Sequence, residues 1–175
     1  QVVVIDLAGH GDSGGGREAW TMPSFGWDCT NLPMLAGDRE MGGRQVQNLY
    51  EKARELGAEY ILITECGHAN RSLVYEGPYM AGYKDGKPPV KIKHFVQLVY
   101  EYLRDGRIKV DKSKNEGSYT FHDSCNPARA MGIFEEPRYV IRSVCNRFYE
   151  MPENTIREQT FCCGGGAGLG TDENM

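Results

Sequence analysis

The placement of six cysteines constrains this chain more than its apolar pattern does. Cys125 and Cys162 stand 37 positions apart, and Cys162 is followed at once by Cys163 and Gly164-Gly165-Gly166. Cys29 to Cys66 spans the same 37 positions. Two equal long intervals predict an internal duplication rather than a ladder of disulfides. Adjacent thiols ahead of glycines suit a metal cluster, because two thiolates on one tight turn can reach neighbouring irons while glycine admits both the turn and a bulky inorganic body. The all-thiol set, with no His pair at zinc-finger spacing, points to iron-sulfur more than to zinc. The alternatives for these thiols are buried structural cysteines or a vicinal disulfide.

A chain of 175 residues, 40% hydrophobic and 25% charged, has enough apolar mass for a core and does not need three disulfides to fold. Its net charge of -4 argues against a nucleic-acid binder, which needs a basic surface to displace phosphate counterions. One stretch runs the other way. Between Lys84 and Lys114 nine Lys/Arg face four Asp/Glu, either a solvated face or a docking patch for an acidic partner. The longest apolar runs, Val2 to Ile5 and Tyr60 to Ile63, fall far short of the roughly 20 residues a membrane span requires. The chain opens at Gln1 without the charged-then-apolar start of a secretory leader, and is expected to be a piece of something longer.

Along the chain, Val2 to Leu7 predicts a buried strand, and residues 20 to 37 an irregular stretch. Val46, Leu49, Tyr50, Ala53 and Leu56 predict a helix stopped by Gly57. Glu59 to Thr64 predicts a strand, and Gly67 to Val74 a helix ahead of a break at Gly77-Pro78. Residues 82 to 90 predict a loop, after which Ile92, Phe95, Val96, Val99 and Leu103 mark a further helix. Ser118 to Phe121 predicts a short strand delivering Cys125, and Pro137 opens a helix with Val140, Ile141, Val144 and Phe148 on its apolar face. Cys145 falls in that pattern and is expected in the core. The alternation of strands and helices predicts an α/β fold, a largely parallel sheet flanked by helices, with the cysteines near carboxyl ends of strands. Gly9-x-Gly11-x-x-Gly14 matches the dinucleotide fingerprint by letter. No amphipathic helix follows it, so nucleotide binding is not expected.

His122-Asp123-Ser124-Cys125, then 36 residues, then Cys162-Cys163-Gly164-Gly165-Gly166 resembles the cysteine-rich CCG domain of heterodisulfide-reductase-like iron-sulfur subunits. The family motif closes with a Cys-x-x-Cys and usually occurs twice. On that template Cys125, Cys162 and Cys163 match the first three ligands of a second copy, truncated at Met175 before its closing pair. Asp28-Cys29 and Cys66-Gly67-His68-Ala69 match a degenerate first copy, with Asp28 and Ala69 in place of two family cysteines. The resemblance therefore implies two pseudo-repeated cysteine-rich halves in a fragment. Residues 1-81 end the first repeat, 82-117 form a helical, basic connector, and 118-175 are the second, truncated repeat. Trp27 to Pro33 and Thr64 to Ala69 look closest to the DsrK-type catalytic subunit of the membrane complex linked to dissimilatory sulfite metabolism.

That resemblance implies a non-cubane [4Fe-4S] cluster, held by Cys125, Cys162 and Cys163 with Gly164 beside it, and incomplete or absent in these residues alone. It implies exchange of electrons with the disulfide or trisulfide of a small sulfur-carrier protein of the DsrC type, in a cytoplasmic subunit attached to the membrane through a cytochrome b-type partner. His122 and His68 are the candidate proton donors, since imidazole titrates near neutral pH and both lie beside motif cysteines. Cys29 and Cys66 are candidate thiols of the substrate site. His10 and His94 are expected to be structural. The competing expectation is a metal-stapled interaction module, with zinc or no metal, that does no redox chemistry.

Overall fold

The computed structural model describes residues 2–6, 19–21, 33, 36–64 and 67–164, the first two segments as backbone only. Cys29, Cys66, Asp28, His10 and the glycine-rich stretch at 9–16 lie outside the described residues. The chain divides into two compact units, Gln1–Phe95 and Val96–Met175.

The first unit is built on a sheet of order β2-β1-β3-β4, where β1 is Val2–Asp6, β2 Ala19–Thr21, β3 Tyr60–Ile63 and β4 Lys91–His94. Helix α1, Arg39–Glu55, starts where the Asp38 carboxylate accepts the Met41 N–H at 2.9 Å. It stops in a Schellman turn: Gly57 takes φ 65°, its N–H reaches the Arg54 carbonyl, and the Ala58 N–H reaches Ala53. The helical face read from the sequence is buried, with Val46, Leu49, Tyr50 and Ala53 packed in one cluster with Ile61, Ile63, Ala69 and Leu73. The Tyr50 hydroxyl donates to the Leu73 carbonyl, and burial, reinforced by Tyr83, pushes its pKa up so that it stays a donor.

The stretch after β3 is helical through the expected break. Helix α2, Gly67–Arg71, widens into a π turn over Ser72–Glu76 and continues as α3, Gly77–Met80. Gly77 donates back to Ser72, and the wide turn sets Pro78 at the start of α3, where its missing N–H costs nothing. Glycine also lets α1 approach. A Cβ on Gly43 would lie 2.3 Å from the Met80 carbonyl oxygen, and one on Gly77 would lie 2.9 Å from a Val46 methyl.

Two expectations change here. The sheet is mixed: β1 runs antiparallel to both β2 and β3, and only β3 and β4 pair in parallel. A β-branched run fixes that a strand is buried but not its direction. Ile92 is not in a helix; it lies in β4 opposite Ile61. Its neighbours Lys91 and Lys93 give the two-residue alternation of a strand, and α4, Phe95–Arg104, starts only afterwards. The buried residue of α4 is Leu98, while Phe95 is 46% exposed.

In the second unit, β5 (Ser118–Tyr119) and β6 (Arg147–Phe148) pair in parallel on either side of helix α5, Glu135–Val144. This is a strand-helix-strand crossover, with Cys125 beyond the carboxyl end of β5. Phe148 belongs to β6 rather than to the helix face expected of it. Cys145 caps α5 in extended conformation and is buried, as expected of a core thiol. No helix among the described residues is long and apolar enough to cross a membrane.

Gly43→Ala is expected to destabilise the chain by about 1–3 kcal/mol, because the new methyl meets backbone rather than a flexible side chain. Asn48→Ala, on the exposed face of α1, should stay within about 0.5 kcal/mol. Denaturant melts of the two variants decide the matter.

Candidate metal centre

Cys125 and Cys162 reach one another because the residues just ahead of them are stitched together. Asp123 is two positions before Cys125, and Thr160 two positions before Cys162. The Thr160 hydroxyl donates to the Asp123 carbonyl at 2.6 Å, the His122 ring nitrogen Nε2 lies 3.0 Å from the Phe161 carbonyl, and Arg129 donates to the Thr160 carbonyl at 2.9 Å. Since a carbonyl only accepts, Nε2 of His122 carries the proton in that contact.

The Asp123 carboxylate is the anchor beneath this seam. Arg138, on α5, holds it in a two-pronged contact at 2.9 and 2.7 Å, and the Arg157 N–H adds a third bond at 2.7 Å. Both side chains of the pair are fully buried. Glu150 accepts from Nε of Arg138 at 2.9 Å, and the Phe134 carbonyl from Nη1 at 2.8 Å, so the buried guanidinium is well satisfied. Arg157 reaches Asp123 from a left-handed backbone, φ 53°, a conformation that costs a non-glycine residue about 1–2 kcal/mol.

Above the seam lie the thiols. Cys125 leads directly into a second π turn, Asn126–Ala130, and is half-buried, whereas Cys162 and Cys163 are exposed; all three are free. The Cys125 and Cys162 thiols are near enough for each to act on the other's charge. Burial first, and then Cys162, push the Cys125 thiol up, while the Arg129 cation and Asn126 pull it down. Gly164 takes φ 76° and donates its N–H to the Cys162 sulfur at 3.4 Å.

Of the residues singled out in the sequence, Cys125, Cys162, Cys163, Gly164 and His122 gather on this lip. His68 lies half-buried on α2 in the first unit, and Ala69, where the family motif has its closing cysteine, is buried in that unit's core. Cys29 and Cys66 lie outside the described residues. Arg138, Thr160 and Arg129 were not anticipated. The one hint was Asp123 beside a motif cysteine; a fully buried arginine within an apolar-looking helix leaves no pattern in the sequence.

Among the described residues no three His, Cys, Asp or Glu side chains converge on one point. The donor set is a converging thiol pair with a third cysteine next in the chain and a backbone N–H on sulfur. That chemistry fits part of an iron-sulfur site, whose four-iron forms take four thiolates.

Residues 119–175 match the family described as CCG, cysteine-rich domain. The chain is 36% identical over 156 residues to the Hdr-like menaquinol oxidoreductase iron-sulfur subunit 2 of Archaeoglobus fulgidus, covering 73% of this chain and 28% of that protein. It is 30% identical over 151 residues to a subunit of the dihydromethanophenazine:CoB–CoM heterodisulfide reductase of Methanosarcina mazei, covering 82% and 34%. It is 29% identical over 122 residues to the EtfAB:quinone oxidoreductase of Syntrophomonas wolfei, covering 70% and 16%. The chain thus spans about a third or less of the length of these relatives. No solved structure matches it.

Arg138→Met would strand the buried Asp123 carboxylate and is expected to cost about 3–5 kcal/mol. The pair also sets a pH dependence. Burial alone would raise the Asp123 carboxyl, but the hydrogen bonds and charges of Arg138 and Arg157 outweigh it and hold it below the ordinary carboxylate value. A depressed folded pKa stabilises above the unfolded value of about 3.9 and is lost as pH falls from there through the folded value. Denaturant melts of the wild type should therefore weaken below about pH 4, and Asp123→Asn should flatten that part of the profile.

Proposed function

We propose that this chain, which carries a CCG cysteine-rich domain and is related to Hdr-like iron-sulfur oxidoreductase subunits, is the part of a longer electron-transfer protein that holds an iron-sulfur cluster against a sulfur-sulfur bond. The observation that carries the reading is that the loops bearing Cys125 and Cys162, 37 positions apart, are stitched together over a buried clasp inside the matched domain. The cluster is a non-cubane [4Fe-4S] centre with Cys125, Cys162 and Cys163 among its ligands. The remaining thiolates come from other cysteines of the full-length protein. The protein is of the DsrK type, its substrate the disulfide or trisulfide of a DsrC-type sulfur carrier, and it works at the cytoplasmic side of the membrane on a cytochrome b-type partner. The arrangement of repeats is 1-81, 82-117 and 118-175, with Cys29 and Cys66 lining the substrate site.

When bound, the cluster supplies electrons one at a time. The chain supplies position and protons. The Asp123–Arg138 pair and Thr160 keep the two cysteine loops at fixed separation, so that ligands need not be gathered during turnover. Reduction of a disulfide consumes two electrons and two protons and yields two thiols, and the same two electrons and two protons split one bond of a trisulfide into a thiol and a persulfide. His122, exposed beside Cys162 with Nε2 on the Phe161 carbonyl, delivers a proton on that side, and His68 is the second donor.

Anaerobic iron and acid-labile sulfide analysis of the full-length protein tests this. About four iron and four sulfide per cluster are expected, with one cluster's worth lost in Cys125→Ser or Cys162→Ser and full content kept in Cys145→Ser. Stoichiometric zinc in place of iron would overturn the redox reading in favour of a metal-stapled interaction module.

A further inference from the structure

Helix α5 carries more than the clasp. Tyr139 lies four positions after Glu135, and Arg142 and Ser143 lie three and four after Tyr139, so these four share one face of the helix. With Tyr100 on α4 and Lys112 they line a cavity of about 450 Å³ in the second unit, a size typical of small-molecule sites, which occupy roughly 300–1,000 Å³. Its walls are aromatic. The Tyr100 and Tyr139 rings meet edge to face, with centroids 5.0 Å apart and planes at 85°, and Tyr139 is 40% exposed. The two rings make a corner in which a planar group lies against one and ends on the other.

The cations of the rim are held in position. Lys112 opens a 3₁₀ turn, Lys112–Lys114, that has no buried residue and so gains nothing from apolar packing. Polar side chains pin it instead: Asp111 accepts the Ser113 N–H at 2.9 Å, Asn115 donates to the Val144 carbonyl at 2.8 Å, and Asn146 donates to the Lys112 carbonyl at 3.0 Å. The Lys112 ammonium pairs with no carboxylate among the described residues. Arg142 spends one N–H on Glu150 at 3.1 Å and lies over the Phe148 ring at 5.2 Å, which leaves most of its five-donor fork unused. Glu135 takes both bonds from Arg157 on Oε1, at 2.9 and 2.8 Å, so its other oxygen is open to a donor.

We propose that this cavity binds a mononucleotide, with the base in the Tyr100–Tyr139 corner, the phosphate between Lys112 and Arg142, and a sugar hydroxyl or exocyclic amine donating to Glu135. An ammonium and a guanidinium together match the charge and oxygens of a phosphate dianion. A bare phosphate leaves the aromatic corner uncovered, and a neutral ring leaves Lys112 without a partner. The site lies in the unit that does not contain the Gly9-x-Gly11-x-x-Gly14 run, and it does not depend on the redox reading of the cysteine lip. Two ion pairs join it to the clasp all the same. Glu150 accepts from both Arg142 and Arg138, and Arg157, the partner of Glu135, donates its N–H to Asp123.

The test is isothermal titration of the full-length protein with AMP, GMP, CMP and flavin mononucleotide, compared with adenosine and inorganic phosphate. At least one mononucleotide is expected to bind about tenfold or more tightly than adenosine or phosphate. For that nucleotide Lys112→Gln, Arg142→Gln and Tyr139→Ala should each weaken binding about tenfold. Lys114→Gln, on the same turn but outside the lining of the cavity, should leave it unchanged. Lys112 is exposed and its side chain holds no other residue in place, so thermal melts of Lys112→Gln should match the wild type and keep its result independent of folding. Four outcomes overturn the proposal. One is no mononucleotide bound at about millimolar concentration, and a second is phosphate alone binding as tightly as any nucleotide. A third is equal loss in Lys114→Gln and Lys112→Gln, which marks a general basic surface. The fourth is full affinity in both Lys112→Gln and Tyr139→Ala, which puts the nucleotide elsewhere.

Discussion

A charge as large as a guanidinium stays fully buried only if the protein meets nearly all of its hydrogen-bonding demand, and Arg138 does so with Asp123, Glu150 and the Phe134 carbonyl. The rest of the second unit is arranged around that requirement. Asp123 has to be where α5 can reach it, which fixes the strand end that leads to Cys125. Its backbone carbonyl then takes the Thr160 hydroxyl, which fixes the loop leading to Cys162. One buried ion pair thus sets the separation of two thiols that the sequence keeps 37 positions apart.

The two units differ in how they achieve rigidity. In the first, an apolar helix face packs on a sheet, and glycines at 43 and 77 let backbones meet where any side chain would intervene. In the second, α5 meets the cysteine loops through charge and hydrogen bonds, and the two parallel strands on either side of it are only two residues long. A fully satisfied polar network takes the place of apolar packing where the cysteine loops meet.

Much of this was legible in the residues. The three- and four-residue spacing of Val46, Leu49, Tyr50 and Ala53 gave both the helix and its buried face, because periodicity is a local property. Cys125, Cys162, Cys163 and Gly164 announced the lip, because ligand spacing and glycine tolerance are local as well. Sheet direction was not legible, since an apolar run such as β1 or β3 says nothing about which way a neighbour runs. Ile92 was misplaced because one isoleucine fits either period, and only its pairing with Ile61 decides. Arg138 was invisible for a deeper reason. Its burial depends on a carboxylate 15 positions earlier and another 12 later, a coincidence of tertiary structure that no window of sequence contains.

The central claim is that Cys125 and Cys162 are ligands of one iron-sulfur body held by the Asp123–Arg138 clasp. The most direct test is a crystal structure of the full-length protein, grown without oxygen, with anomalous diffraction collected at the iron edge. The account predicts iron density touching both sulfurs, with the Asp123 carboxylate still in the fork of Arg138. A disulfide joining the two cysteines, zinc in place of iron, or iron bound elsewhere with these thiols apart would contradict it.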